Sequence, residues 1–301
     1  MTTNTDLAVQ FAGVGKKYPH FTLDDIHLEQ EEGSIMGFIG ANGAGKSTTI
    51  RILMGLVHQD HGMVRVLGHT MPHQQAAAKF DIGYVSEDMR LYRTATIDWH
   101  MRFIRSIYPT FDQAYAEQLC RRFDLKPQQK VKGLSHGQRV KAALMLVLAR
   151  RPRLLVLDEP TTGLDPIARQ EVLGELMQVL SDERRTILFS SHNTLDVEQI
   201  SDSITFIDRG RIIDSGDKEG YLDRWRRMRV DVPPGVSLPS LPGTIQKAST
   251  GRITVLTTNS FDPAMTALCR DAGATVHNID RMTLEEIFVA NVASRREGVL
   301  A

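Results

Sequence analysis

The sequence predicts an α/β fold: a buried parallel sheet wound with helices, an antiparallel strand patch ahead of it and a small α+β module behind it. Three observations carry this reading. A glycine-rich turn, Gly40-Ala41-Asn42-Gly43-Ala44-Gly45-Lys46-Ser47-Thr48, follows the apolar run Ile35-Met-Gly-Phe-Ile39 and opens a helix-like stretch. A second apolar run, Leu154-Leu-Val-Leu157, is bounded by Pro152 and Pro160, and its continuous apolar character is that of a strand covered on both faces. From about residue 153 to residue 216, strand and helix patterns alternate, as parallel crossovers require.

In chain order, residues from about 7 to 68 give strands with hairpin punctuation, an antiparallel patch that leads into the glycine-rich turn. Strand, turn and helix together make a phosphate-binding loop of the P-loop NTPase kind. Gly40, Gly43 and Gly45 let the backbone wrap closely around phosphates. The N–H groups of the turn, with Asn42, Ala44 and Thr48 in the same cradle, then face a polyanion together with the positive end of the helix. Lys46 reaches the β- and γ-phosphates, and Ser47 offers a hydroxyl to Mg²⁺. Nucleotide binding follows from this segment alone.

Residues from about 91 to 150 are rich in helix formers. Ile97-Asp-Trp-His-Met-Arg-Phe-Ile104 and the stretch 113–123 repeat apolar residues at helical spacing, which predicts a helical arm whose stripe is core. The strand at 154–157 ends on Asp158 and Glu159. At the carboxyl edge of a doubly wound sheet these face the ligand crevice. Asp158 is placed to hold Mg²⁺ through water, and Glu159 to polarise the water that attacks a γ-phosphate.

Between the two motifs lies Leu134-Ser135-His136-Gly137-Gln138-Arg139, followed by an apolar run. It resembles the LSGGQ signature of ATP-binding-cassette (ABC) ATPases. The resemblance implies that Ser135, Gly137 and Gln138 bind the γ-phosphate of an ATP held by a second, opposite ATPase subunit, by exposed amides at a helix N-terminus. His136 departs from the pattern, standing where the first glycine of the pair is usual, and is expected to tune that cross-subunit contact. Tyr18 resembles the aromatic that stacks on adenine, and Gly163-Leu164-Asp165 the loop that crosses the dimer interface. His192, after the strand 186–190, resembles the switch histidine that contacts the γ-phosphate. At Ile82-Gly-Tyr-Val-Ser-Glu87 the usual glutamine is replaced by Glu87, a position that senses Mg²⁺ and the membrane partner. That substitution, with Tyr108-Pro-Thr-Phe-Asp112, Thr161-Thr-Gly-Leu-Asp-Pro166 and the tail 282–289, points to the ABC-2 exporter branch.

The resemblance implies an ATP-hydrolysing subunit that dimerises, more readily as a homodimer, around two ATP and Mg²⁺ to power a separate integral membrane permease. Its place would be cytoplasmic, peripheral on the inner face of the membrane. Two alternatives remain at this point: a soluble ABC ATPase without a permease, and a nucleotide-gated regulatory or resistance module with little hydrolysis, for which His136 and Glu87 leave room.

Composition agrees with such a subunit. With 36 basic and 36 acidic residues among 301, no net field draws the chain to nucleic acid. Cys120 and Cys269 have no metal-ligand spacing and form no disulfide framework. The N-terminus lacks the pattern of a signal peptide, and no apolar run approaches the roughly eighteen residues of a membrane span.

A boundary is expected near residues 216–220, giving a nucleotide-binding domain over 1–216 and a C-terminal α+β accessory domain over 217–301 that lacks a second phosphate loop. In the latter, short strands are read at 229–232, 252–256 and 274–279, with helices at 263–270 and 284–290. The basic cluster Arg224-Trp-Arg-Arg-Met-Arg229 is read as a solvated helix face.

Overall fold

The computed structural model describes residues 7–183 and 185–298. They fall into two compact units that divide between Ile212 and Ile213.

In the first unit, β1 (Leu7–Tyr18) and β2 (Phe21–Glu31) form an antiparallel hairpin, followed by β3 (Ile35–Ile39), α1 (Lys46–Leu53), β4 (His61–Val66), β5 (His69–Met71), α2 (Gln75–Asp81) and β6 (Ile82–Ser86). Next come α3 (Ile97–Ile107), α4 (Gln113–Arg122) and, after a 3-10 turn at Val131–Gly133, α5 (His136–Leu148). The chain returns through β7 (Leu154–Asp158), α6 (Pro166–Glu183), β8 (Thr186–Ser191), α7 (Thr194–Ile200), β9 (Ser203–Asp208) and β10 (Arg211–Asp217), the strand in which the division falls.

Two sheets result. The antiparallel one has the order β2-β1-β4-β5, and the central one β10-β9-β3-β8-β7-β6, parallel from β9 to β6. Every residue of β3, β7 and β8 is buried, which is why each reads as a continuous apolar run at its centre (Ile35–Ile39, Leu154–Leu157 and Ile187–Phe189) instead of an alternating pattern. Phe38, Leu154, Val156 and Leu188 of the sheet share one core with Ile50 and Leu53 of α1 and with Phe11 and Leu23 of the antiparallel sheet, so the helix after the glycine-rich turn is held by its buried face. In the arm, Thr96 caps α3 by accepting the Trp99 N–H (3.1 Å), and Asp112 caps α4 by accepting the Tyr115 N–H (2.9 Å). Ala116, Leu119 and Cys120 form the buried stripe of α4. Glu175 on α6 accepts from Arg122 at 2.9 Å and from the Tyr115 hydroxyl at 3.2 Å, which ties α4 to the body of the unit.

The second unit contains α8 (Lys218–Arg224), β11 (Arg226–Asp231), β12 (Thr244–Thr250), β13 (Ile253–Thr258), α9 (Ala264–Asp271), β14 (Thr275–Arg281) and α10 (Leu284–Gly298). Its antiparallel sheet runs β12-β13-β11-β14, and Met228, Val230 and Leu256 pack with Met265 and Cys269 of α9. Within this unit Asp214 accepts hydrogen bonds from Arg224 (3.0 Å) and Asn291 (3.2 Å). The basic cluster is not a helix face. Residues 226–231 are β11, where Met228 and Val230 point into the core at a period of two and Arg227 pairs with Glu286 at 2.8 Å. Trp225, only 1% exposed, closes that corner. Sequence reading also missed β12, a largely exposed polar edge strand without an apolar alternation to reveal it. Among the described residues no helix is long and apolar enough to cross a membrane.

Candidate active site

Four neighbouring strands of the central sheet bring the motifs together. Register sets Asp158 of β7 beside Ser86 of β6 and Ser190 of β8, and Ile39 of β3 beside Ser191. The glycine-rich turn, the paired carboxylates and His192 therefore leave the sheet at one carboxyl edge, where open α/β sheets hold ligands.

Glycine is required in the turn for two separate reasons. Gly45, at the start of α1, has φ of 119°, and a side chain on Gly40 would stand 2.6 Å from the Ile207 carbonyl oxygen. Lys46 is 5% exposed; its Nζ donates to the Gly40 carbonyl at 2.7 Å and stands 3.1 Å from Glu159 Oε1, an ion contact without hydrogen-bond alignment. A cavity of about 680 Å³ opens over the turn, lined by Tyr18, Asn42, Gly43, Gly45, Lys46, Ser47, Thr48, Glu87 and Glu159. Gly40 and Ala44 are buried behind it. Tyr18, at the end of β1, is 37% exposed, with the Phe21 ring 6.5 Å away. An aromatic face, a ring of amides and a buried ammonium thus share one space.

Asp158 is buried and accepts the Ser190 hydroxyl at 3.1 Å. Burial pushes its carboxyl up from the usual range, against hydrogen bonds from Ser47 and Ser190 that favour the ionised form. The Ser47 hydroxyl and this carboxylate are oxygen donors of the kind Mg²⁺ takes, and a cation beside Asp158 would offset its burial, so the residues fit the ion. Glu87 is exposed at the rim, its N–H donating to the Asp158 carbonyl at 3.2 Å.

Glu159 has φ of 55°, a left-handed conformation rare outside glycine, which turns the chain sharply after β7. Its Oε2 accepts from His192 Nδ1 at 2.7 Å and from the Thr162 hydroxyl at 3.1 Å, while Oε1 faces Lys46. Each partner is a hydrogen-bond donor or a cation, so the carboxylate is oriented by three contacts on the side that faces the phosphate loop.

Ser135, Gly137 and Gln138 do not line this cavity. They open α5 on a capping box: Ser135 Oγ accepts the Gln138 N–H at 3.2 Å, and Gln138 Oε1 accepts the Ser135 N–H at 3.0 Å. Ser135 and His136 are exposed. The His136 ring is turned onto its own chain, with Nε2 3.1 Å from the Thr162 carbonyl oxygen.

A family model described as ABC transporter matches residues 23–162. The ABC transporter ATP-binding protein NatA of Bacillus subtilis is 33% identical over 75% of this chain and 93% of its own length. The chain belongs to the ABC transporter ATP-binding family. The daunorubicin resistance ATP-binding protein DrrA3 of Streptomyces coeruleorubidus is 29% identical over 94% of this chain and 95% of its own, so the similarity includes the second unit. A solved ATP-binding subunit of an ABC transporter superposes with a TM-score of 0.65 at 25% identity, covering 72% of this chain and 92% of that one. This ABC subunit accordingly binds and hydrolyses ATP, and its family acts as dimers with membrane permeases.

Sequence reading missed several residues that organise the candidate site of this ABC subunit. Thr162 holds Glu159, and Ser190 holds Asp158. Asp196 of α7 is 1% exposed and accepts the Thr161 hydroxyl at 2.6 Å and Arg169 Nε at 2.5 Å, fixing the segment after Glu159 to the helix after His192. Only Asp196 left a trace in the sequence, an acid four residues beyond the histidine on an otherwise apolar face.

Proposed function

We propose that two copies of this chain close around two ATP molecules and that the cycle of closure and hydrolysis drives export through an ABC-2-type permease at the inner face of the membrane. The observation that carries this reading is the division of the machinery. Lys46, Glu159 and His192 meet over the phosphate loop, whereas the turn Ser135-His136-Gly137, exposed at its first two residues, lies outside that cavity and is free to serve a nucleotide held by a second copy. Tyr18 stacks on the base, the amides from Asn42 to Thr48 hold the phosphates, and Lys46 neutralises the β- and γ-oxygens. When bound by Ser47 and Asp158, with Glu87 at the rim, Mg²⁺ supplies charge neutralisation and fixes the phosphate geometry. Glu159 takes the proton of the attacking water, and His192 orients the γ-phosphate. A γ-phosphate that draws Lys46 and His192 toward itself would release the carboxylate they now hold, so substrate binding itself would arm the base.

Export through a separate partner is supported by the resistance role in the name of the relative DrrA3 and by an aromatic patch on the arm. Trp99 and Phe103 stack at 5.2 Å, Tyr92 meets Trp99 edge-on at 5.5 Å, and all three are exposed beside a cleft of about 310 Å³. Such a surface suits an apolar helix of the permease. Phe103→Glu is expected to abolish co-purification with the permease while leaving ATP affinity within about twofold, since the ring lies away from the phosphate loop. Retained co-purification would place the docking surface elsewhere.

The second unit, on this reading, holds two subunits together or regulates their opening. A chain stopped after Lys218 keeps β10 whole. It is expected to bind nucleotide but to self-associate more weakly without it. Sedimentation of both proteins in the absence of ATP is the measurement, and unchanged self-association in a folded truncation removes the dimerisation role. Steady-state ATPase rates with and without the permease test the transport reading as a whole: stimulation supports it, and identical rates point to a subunit that works alone.

A further inference from the structure

The side chain that departs from the family pattern is the one with the most specific placement. The Thr162 carbonyl can only accept, so His136 Nε2 carries the proton of the 3.1 Å hydrogen bond between them. The ring lies against Gly163, whose φ is 71° and where an added Cβ would stand 3.3 Å from Nε2. Thr162 faces two ways. Its carbonyl holds His136, and its hydroxyl donates to Glu159 Oε2, the oxygen that also accepts His192 Nδ1. The capping box makes Ser135-His136-Gly137-Gln138 a stiff turn, so a displacement of that turn moves the imidazole with it.

We propose that His136 is a positioning residue that couples the two nucleotide sites of the dimer, a role that rests on the two-ATP arrangement of the preceding section. In that arrangement the turn at Ser135 of one subunit contacts the partner's nucleotide, while Glu159 of the same subunit serves its own. The path His136, Thr162, Glu159 joins them within one chain: engagement of the turn by one ATP sets the carboxylate that hydrolyses the other. Coupling through discrete hydrogen bonds needs the loop to have two arrangements, of which the contacts of Glu159 with Lys46 and His192 are one.

The test uses the full chain as wild type, H136A, H136Q, T162V and the H136A/T162V double variant, with a fluorescent ATP analogue for affinity and the ATP dependence of turnover for kcat and the Hill coefficient. The wild type should show a Hill coefficient above one. H136A should bring it to one and lower kcat about fivefold, the size of one lost hydrogen bond, with affinity changed less than about twofold. H136Q, whose amide can donate to the same carbonyl, should restore cooperativity. The double variant should resemble T162V alone, because both changes cut one path. A wild type without cooperativity, an H136A protein that keeps it, an H136Q protein no better than H136A, or additive losses would each overturn the coupling. Failure of the underlying reading is separate: Glu159→Gln protein that sediments as a monomer at saturating ATP rejects the two-ATP dimer itself, whereas a dimer with unaltered H136A kinetics rejects only the coupling.

Discussion

Glu159→Gln protein should bind ATP as the wild type does, turn it over at least about a hundredfold more slowly, and accumulate as an ATP-bound dimer. The amide has nearly the shape of the carboxylate and can still accept from Thr162, so the loop after β7 keeps its course. What it loses is basicity. An amide cannot take the proton of the attacking water, and the adjacent Asp158 does not replace it, being buried and engaged with Ser190. Closure depends on phosphate contacts and survives; reopening depends on hydrolysis and does not. Near-normal turnover in the purified variant would remove Glu159 from the role of base.

The second large effect is expected from Lys46→Ala. This ammonium is almost fully buried, anchored by the Gly40 carbonyl and facing Glu159, and on the proposed reading it moves the short way to the bound phosphates and neutralises the charge that develops on the transferring phosphoryl group. Removing one such preorganised donor costs about a hundredfold to a thousandfold in turnover, and ATP affinity should fall about tenfold with the loss of a charge-assisted contact. Stability should fall as well, since the half of Glu159 that faces Lys46 would be left inside the protein without its cation. Fluorescent-nucleotide titration, single-turnover kinetics and thermal unfolding measure the three effects. An unchanged affinity would mean that the amides of the turn alone hold the phosphates.

Much of the candidate site was legible because its chemistry is local. Gly45 must adopt a positive φ, and Gly40 must let the Ile207 backbone approach, so the turn advertises itself in the glycines. The buried parallel strands advertise themselves as apolar runs that stop at Asp158 and at Ser191-His192. What could not be read was how those segments hold one another. Ser190 and Asp196 act across tens of residues and Thr162 across three, through hydroxyls and one carboxylate, residue types that occur on any surface. The orientation of His136 depends on Gly163, distant in sequence, and only the fold brings the two together. In the second unit the failure has another cause: arginines at 226, 227 and 229 obscured the alternation of Met228 and Val230, and the exposed edge strand β12 has no apolar face to alternate.

The central claim is that each nucleotide is shared between two chains. Its most direct test is the stoichiometry and mass of Glu159→Gln protein after incubation with ATP and Mg²⁺ and removal of free nucleotide. The account predicts a dimer carrying two ATP, dispersed to monomers by Ser135→Arg, which places a bulky side chain where the turn meets the partner's phosphate. A monomer that retains one ATP, or a dimer that Ser135→Arg leaves intact, would contradict it.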